Sequence, residues 1–373
     1  MPEYVHQNCR PQSFVADKSD SSKTLEQKKH LHKALKDRQS GQQRIFEDDN
    51  LLDENTDLEQ YGLSPDFRRQ LKARVMGHDI PVQIVRESTL LITQQVRDGE
   101  PGTNPLSDRL WNIGTALYYK CGLKPWKTPW ARDGVCYIGL AYKMESNSGR
   151  SACCAAQMFL DSGDGVVFVG EFGPWYSPEK GEFHLSRSAA ETLLRGAIKT
   201  YQDLEGRELK QVFLHARSGI NEDEYQGFLN ACPDSVDLVA IKVQKNNRSP
   251  RLFRHGDNEK VPLQGKHPVL RGTFWQKSKS HGYLFTSGFK PRVGFYDGWE
   301  VPVPLLIHIQ YGVADIAQVA TDILGLTKLN YNSCQLGESE PITIKNSEKI
   351  GEILLSNSEM SSDQWKHNFK FYI

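Results

Sequence analysis

Apolar runs alternate with amphipathic segments between residues 135 and 245, and this pattern predicts the main body of the fold. Three apolar runs, GVCYIGLAYK, ACCAAQMFL and GVVFVGEF, follow one another closely. The Asp-Gly within the intervening DSGDG is a strong hairpin signal between the second and third runs. The three runs therefore predict three antiparallel strands.

Helices and strands alternate after these runs. A helix should begin at a capping box formed by Ser188 and Glu191 and close near Gly206. Its apolar face consists of Ala190, Leu193, Leu194, Ala197 and Ile198. KQVFLHA predicts a fourth strand, a second helix should open after Asn221, and VDLVAIKV predicts a fifth strand. Three antiparallel strands followed by alternating helix and strand is the order of an RNase H-like domain.

Residues 64–130 show the pattern of a helix–strand–helix unit. SPDFRRQLKARVM places Phe67, Leu71 and Val75 at four-residue steps, which predicts a helix. IPVQIV predicts a strand, and LSDRLWNIGTALYYKCG predicts a second helix that runs from an N-cap at Ser107 to a C′ stop at Gly122. The series indicates an α/β layer. The polar stretch from about residue 16 to 60 predicts a mobile or weakly helical insertion.

Composition predicts a soluble protein with more than one domain. The chain of 373 residues divides into segments 1–63, 64–130 and 131–373. Basic and acidic residues number 46 each, so the net charge is zero and any anionic ligand must be held by a local cluster.

Seven cysteines without a C-x-x-C pair indicate a reducing compartment and no zinc site. Because no apolar run reaches roughly 18–20 residues and the first residues lack an apolar signal core, we expect a cytoplasmic protein without a membrane span.

The first and fourth predicted strands lack the acids of an RNase H-like nuclease. Such an enzyme places carboxylates in the middle of strand one and at the end of strand four, where they hold two divalent metals about 4 Å apart. The corresponding positions here carry Ala141 and Ser218, which cannot bind a metal. Glu171, at the end of the third strand, could serve a rearranged site together with Glu352.

Other candidate catalytic groups have structural explanations. Asp161 and Asp164 belong to the predicted hairpin turn, and the acids at 222–224 complement a helix N-terminus. Ser218 lacks a G-x-S-x-G context, and His215 in strand four is expected to be a neutral, hydrogen-bonded core histidine. A Ser/His hydrolase is therefore not predicted.

A set of polar and basic side chains in residues 64–130 points to a phosphate ligand. Arg68 and Lys72 lie one turn apart on the first helix, Gln83 lies in the next predicted strand, and Lys120 and Lys124 end the following helix. Two basic residues at i and i+4 can aim two charged donors at one phosphate. A solvated basic face is the alternative interpretation of each pattern taken alone.

These residues resemble the MID domain of an Argonaute, most closely that of the short prokaryotic Argonautes that lack the N-terminal and PAZ domains. In that family a MID helix carries Tyr or Arg and then Lys four residues on, followed by a Gln in the next strand and a later Lys pair. Those side chains grip the 5′ end of a guide strand. The matching residues are Arg68, Lys72, Gln83, Lys120 and Lys124. The resemblance implies a guide 5′-phosphate site in a partial Rossmann-like MID domain.

The resemblance extends to the PIWI domain from about residue 131 to the end of the chain. CYIGLAYK resembles the first PIWI strand, whose G-x-D motif would put Asp at Ala141, and ARSGINEDEY resembles the R-D-G segment with Ser218 in place of Asp. The last member of the catalytic tetrad would fall near Gly351 or Glu352. The departures at two metal ligands imply an RNase H-like PIWI domain that no longer cleaves nucleic acid.

The resemblance to the same family leads to one expectation for each end of the chain. The apolar ending HNFKFYI resembles C-termini that place the terminal carboxylate beside the guide phosphate through a divalent ion, which would assign Ile373 and a bridging Mg²⁺. A simple docked C-terminal strand is the alternative. The family's MID domain begins with a strand and a helix upstream of the segment that PEYVHQNCRPQSF resembles, which predicts a truncated MID domain or a misassigned start.

The resemblance implies guide-dependent binding of nucleic acid without cleavage. The guide could be RNA or DNA, and its complementary target would be an invading nucleic acid in prokaryotic defence. Short Argonautes usually act with a partner that carries an APAZ region fused to a sirtuin-like, TIR-like or nuclease effector. Two alternatives remain open: an active metal-dependent nuclease with a rearranged acid set, and a degenerate scaffold that only binds a protein partner.

Overall fold

The computed structural model describes most of the chain from residue 67 onward. The described residues are 2, 67–90, 106–126, 132–144, 151–159, 165–169, 175–177, 182–205, 208–245, 248–255, 267–291, 294, 296, 301–331, 337–354 and 366–372. The helices in this part are α1 Phe67–Met76, α2 Glu87–Leu90, α3 Leu106–Lys120, α4 Arg187–Glu205, α5 Glu222–Ala231, α6 Ile316–Leu326 and α7 Ile342–Leu354, with a 3₁₀ turn at Phe369–Phe371. None of these helices is long and apolar enough to cross a membrane.

An eight-stranded sheet forms the centre of the described structure. The strands are β1 Val135–Met144, β2 Ser151–Phe159, β3 Gly165–Val169, β4 Trp175–Ser177, β5 Glu182–His184, β6 Gln211–Ala216, β7 Asp237–Lys245, β8 Phe253–Arg254, β9 His267–Pro268, β10 Phe274–Gln276, β11 His281–Leu284 and β12 Leu305–Tyr311. Their order in the main sheet is β10-β11-β12-β7-β6-β1-β2-β3, while β4–β5 and β8–β9 form separate two-stranded sheets.

The strand pairing confirms the five strands predicted between residues 135 and 245. Strands β1, β2 and β3 pair in antiparallel fashion, and β1, β6 and β7 run parallel to one another. This arrangement is the RNase H-like core. Strands β12, β11 and β10 extend the sheet beyond β7 through antiparallel pairs.

Helices cover the sheet on two faces, each over its own apolar core. The face under α4 and α5 includes Ile138, Leu140 and Leu214, whereas the opposite face includes Tyr137 and the apolar residues of α6 and α7. This division follows from the alternation of side chains along a strand. All five residues predicted for the apolar face of α4, namely Ala190, Leu193, Leu194, Ala197 and Ile198, are buried.

Gly139 in β1 allows α7 to cross the sheet at close range. A Cβ atom at this position would lie 1.9 Å from the carbonyl oxygen of Thr343. The hydroxyl of Ser347 donates to the carbonyl of Gly139 at 3.1 Å, so the helix is bonded to the strand where they meet. Only glycine permits this approach, because any larger residue would overlap the helix backbone.

Three local predictions were wrong. IPVQIV forms no strand in the described structure, and Pro81 within it lacks the amide hydrogen that a strand ladder would use. The helix α3 already begins at Leu106, so Ser107 lies inside its first turn. The helix α4 begins at Arg187, and the hydroxyl of Ser186 accepts from the amide of Ala189 at 3.2 Å, which excludes a cap at Ser188.

The end of the chain docks against β3, the last strand of the main sheet. The amide of Val167 donates to the carbonyl of His367 at 2.6 Å, and Val166 forms an isolated antiparallel bridge with Asn368. The ring of Phe369 packs where Gly165 leaves space. Phe369, Phe371 and Tyr372 are all buried.

Candidate nucleic-acid interface

Two buried lysines from different helices converge on the C-terminal segment. The Nζ atom of Lys72 donates to the carbonyl of Tyr372 at 3.1 Å, and that of Lys120 donates to the carbonyl of Lys370 at 3.3 Å. Their exposed fractions are only 4% and 6%. The fold thus brings together two cations that are 48 positions apart in sequence and fixes both against one short stretch of backbone.

Local structure explains how the helices present these lysines. Lys72 lies on α1 one turn after Arg68, and Lys120 is the last residue of α3. Helix α3 ends as predicted, with Gly122 at φ +87° and its amide bonded to the carbonyl of Tyr119 at 2.9 Å. A cation at the C-terminal end of a helix is favoured by the helix dipole.

Burial and a nearby positive charge both lower the pKa of Lys120. Burial is the larger cause and the charge of Arg68 the smaller, and together they bring the pKa to about 8. Arg68 itself is exposed at the start of α1. A site that holds Lys120, Lys72 and the charge of Arg68 together would gain from a bound anion, because the anion offsets both the desolvation and the repulsion.

Gln83, Lys124 and Ile373 are the other residues predicted for this site. Gln83 is half-buried, and its side-chain amide donates to the carbonyl of Ile84 at 3.3 Å. Lys124 is exposed in the turn that follows α3. Ile373 lies outside the described residues. The structure therefore joins Arg68, Lys72 and Lys120 into a cluster, which we call the lysine cluster.

An aromatic cluster, which sequence reasoning did not single out, holds the C-terminal segment against α3. The rings of Tyr119 and Tyr331 have centroids 4.7 Å apart, and Phe369 meets Tyr119 edge-on at 6.3 Å. Tyr331 also donates its hydroxyl to the carbonyl of Trp126 at 2.8 Å. The aromatic ending FKFY was the available signal, but its partners lie more than 30 residues away and could not be identified from local pattern.

Ala141 and Ser218, the residues predicted to replace catalytic carboxylates, lie near the carboxyl ends of β1 and β6. Ala141 is buried in β1 opposite Ala155 of β2, and Ser218 is half-buried just after β6. Beside Ser218, the guanidinium of Arg217 forms an ion pair with Glu340 at 2.8 Å. In the described part of the chain, no group of three or more His, Cys, Asp or Glu residues could hold a metal ion.

The other acids named as candidates are only partly described. Glu352 lies in α7, but its side chain is outside what the structure describes, and Asp161, Asp164 and Glu171 lie outside the described residues altogether. His215 fits its prediction as a core histidine. It is buried, its Nδ1 lies 3.0 Å from the hydroxyl of Thr343, and burial lowers its pKa to about 3.

Glu224 has a larger role than the helix-end complement that was predicted. The expected capping box is present, with Asn221 as the N-cap of α5. The carboxylate of Glu224 is also fully buried, and it accepts from the hydroxyl of Tyr142 at 2.9 Å and from the amide of Leu185 at 2.6 Å. It further bonds the Nδ1 of His184 at 2.8 Å. This network joins β1, β5 and α5.

The described structure is similar to solved Argonaute structures. Clostridium butyricum Argonaute bound to a guide DNA and a 19-mer target DNA has a TM-score of 0.59 and 19% sequence identity, covering 78% of this chain and 35% of that one. Aa-Ago with externally bound siRNA has a TM-score of 0.53 and 19% identity, covering 86% of this chain and 39% of that one. No protein-family model and no curated protein matches the chain.

These similarities confirm the predicted fold class. The chain has a mixed α/β, RNase H-like, Argonaute-like fold. It spans between a third and two-fifths of the length of the two Argonaute structures.

Proposed function

We propose that this Argonaute-like chain binds a guide strand by its 5′-phosphate, pairs it with a complementary target, and does so without cutting the target. The observation that carries the proposal is the convergence of Lys72 and Lys120 on the C-terminal segment, with the charge of Arg68 close by. Base pairing by the guide would supply sequence selection while the protein holds the backbone, as in other guided systems.

The chemistry of the lysine cluster suits a terminal phosphate. Hydrogen bonds from charged donors contribute about 1.5–3 kcal/mol each, and burial strengthens them because the local dielectric is low. Main-chain oxygens at Lys370 and Tyr372 accept from the two ammonium groups. The family resemblance adds the carboxylate of Ile373, which would hold a Mg²⁺ ion, and that ion would supply further positive charge for the phosphate.

Comparison of 5′-phosphorylated and 5′-hydroxyl oligonucleotides tests the assignment. The wild-type chain should prefer the phosphorylated strand, and Lys72→Met with Lys120→Met should lower its affinity at least tenfold and flatten its salt dependence. Methionine keeps the length of the side chain but removes the charge. Lys199→Ala, an exposed lysine on α4, is the control. Equal affinity of the wild-type chain for both ends would contradict the proposal and favour the degenerate scaffold.

The proposed lack of cleavage rests on Ala141 and Ser218, the residues at the two positions where an RNase H-like enzyme needs carboxylates. Purified chain loaded with a guide should leave a labelled complementary target intact in Mg²⁺ and in Mn²⁺. Metal-dependent cleavage that is abolished by Glu171→Gln would instead establish the rearranged nuclease. A preparation heated before the metal is added controls for contaminating nucleases.

We further propose, on the resemblance to short Argonautes, that target binding is signalled to an APAZ-containing effector with a sirtuin-like, TIR-like or nuclease domain. The setting would be prokaryotic defence against invading DNA. Nucleic acid that copurifies with the chain, expressed alone and with the product of the adjacent gene, identifies the guide by its length, sugar and 5′ end. An adjacent product that neither copurifies with the chain nor responds to a target would contradict the effector role.

A further inference from the structure

A row of aromatic and cationic side chains crosses one face of the sheet extension. Trp275 of β10 stands opposite Tyr283 of β11, and His281 of β11 stands opposite His308 of β12. His308 in turn stands opposite Lys242 of β7. Directly opposed residues share a face, and so do residues two apart on one strand, so these five side chains lie together. We call them the aromatic sheet face.

The opposite face of the same strands is part of the core. Leu284, Ile307 and Val243 alternate with the residues of the aromatic sheet face, and each is at most 2% exposed. Trp275, in contrast, is 44% exposed. Packing of the core therefore does not account for a tryptophan at this position, since its ring faces away from the buried side of the sheet.

The rings of this face lie in two close pairs. The His281 and His308 rings are stacked, with centroids 3.8 Å apart and an angle of 21° between their planes, whereas the Trp275 and Tyr283 rings are tilted by 31° with centroids 5.5 Å apart. The Nδ1 of His281 lies 3.0 Å from the hydroxyl of Ser280, which fixes the orientation of that ring. A set of ordered aromatic planes beside a lysine can receive flat, anionic polymers at little entropic cost.

We propose that the aromatic sheet face binds single-stranded nucleic acid by base stacking, at a site separate from the lysine cluster. Bases stack on exposed aromatic side chains on the open faces of sheets in several single-strand-binding folds. Four strands spaced about 4.8 Å apart give a width of roughly 14 Å, enough for about two or three nucleotides.

Charge complementarity favours nucleic acid as the occupant. None of the five residues of the aromatic sheet face is acidic, and the turn between β10 and β11 adds Lys277 and Lys279, both of which are exposed. A single strand fits better than a duplex, because bases within a duplex already stack on one another and cannot reach Trp275.

The test uses the full chain with a fluorescein-labelled, 5′-hydroxyl dT₁₂ strand, which lacks the phosphate that the lysine cluster would need. Trp275→Ala should weaken binding fivefold or more, since stacking contributes about 1–3 kcal/mol per base. Trp275→Phe, which keeps a stacking ring, should stay within threefold of wild type. Lys242→Ala should lower the slope of log K against log salt concentration by about one. Trp111→Ala, at a tryptophan 55% exposed on α3, is the matched control and should bind like wild type.

Three results would overturn the proposal. One is dT₁₂ affinity unchanged by Trp275→Ala, and a second is equal binding of a blunt hairpin duplex. The third is displacement of dT₁₂ by polyglutamate at equal charge concentration, which would indicate a site that recognises charge alone.

Lys72→Met with Lys120→Met should leave dT₁₂ binding intact while abolishing the preference for a 5′-phosphate. A failure at the lysine cluster is thereby distinguished from a failure at the aromatic sheet face.

Discussion

The Nζ atom of Lys72 lies 3.1 Å from the main-chain oxygen of Tyr372, so α1 is bonded to a residue 300 positions later in the chain. A bond across this sequence separation makes the amino-terminal helices and the end of the chain parts of one site. The aromatic residues around the C-terminal segment hold it in place, and Phe369 is the member that contacts both β3 and α3. Removal of its ring should therefore destabilise the fold and disturb the lysine cluster.

We expect Phe369→Ala to lower the free energy of unfolding by about 3–5 kcal/mol, because it removes a side chain that is 98% buried and leaves a cavity. Denaturant unfolding followed by tryptophan fluorescence measures the change. Phe253→Ala, at a phenylalanine that is 50% exposed, should cost less than about 1 kcal/mol. Similar losses for the two variants would show that the C-terminal segment contributes little to stability.

Glu224→Ala should destabilise the fold by about 3 kcal/mol or more. The substitution leaves His184, the amide of Leu185 and the hydroxyl of Tyr142 without their shared acceptor in a buried site. Glu222→Ala, two residues earlier at the exposed start of α5, should change stability by less than about 1 kcal/mol. If the two substitutions lowered stability equally in urea titrations, Glu224 would act only as a charge at the end of the helix, contrary to this prediction.

Sequence patterns could predict the sheet core because its signals are local. The apolar runs that became β1, β6 and β7 are continuous, as expected for strands buried on both faces, and Gly122 ends α3 where its lack of a side chain permits a positive φ. The strands β10, β11 and β12 were not predicted one by one. β10 and β11 have only three and four residues, and β12 pairs with β7, so that Leu305 lies opposite Lys245, 60 positions earlier.

The errors and omissions share one physical cause, which is dependence on tertiary contacts. IPVQIV has the composition of a strand but belongs to none of the described sheets. Glu224 has the position of a helix-end acid but also serves as the acceptor for groups up to 82 residues away. Likewise, the four-residue step from Arg68 to Lys72 indicated an anion site, but only the family resemblance placed the end of the chain there. The hydrogen bonds from Lys72 and Lys120 to that end depend on the tertiary fold.

His215 should make the stability of the fold depend on pH on the acid side. Its pKa is lowered from 6.5 to about 3 by burial, so the unfolded chain binds a proton that the folded chain does not. The stabilisation is complete above pH 6.5 and is lost as the pH falls toward 3, with about 2 kcal/mol gone by pH 5. His215→Asn, whose amide can still reach Thr343, should show a shallower decline in unfolding free energy between pH 7 and pH 5. Parallel declines in the two proteins would contradict the assignment.

The lowered pKa of Lys120 predicts a second pH dependence, this time of binding. A 5′-phosphate needs the protonated lysine, and the pKa of about 8 means that the free protein loses this charge as the pH rises through 8. Because the phosphate itself is already fully ionised above pH 7, the preference for a phosphorylated over a hydroxyl 5′ end should fall by about tenfold between pH 7 and pH 9. Fluorescence anisotropy with both strands across this range measures the ratio.

The sign of this effect separates binding from folding. Since the folded-state pKa of Lys120 lies below the unfolded value of 10.5, the unfolded chain holds more protons between pH 8 and 10.5, and this group makes the fold more stable as the pH rises. Weaker binding at pH 9 therefore cannot arise from the effect of Lys120 on folding. Lys120→Arg keeps its charge throughout, so its end preference should stay constant. If the wild-type protein kept the same ratio of affinities for phosphorylated and hydroxyl 5′ ends from pH 7 to pH 9, Lys120 would not be part of the phosphate site.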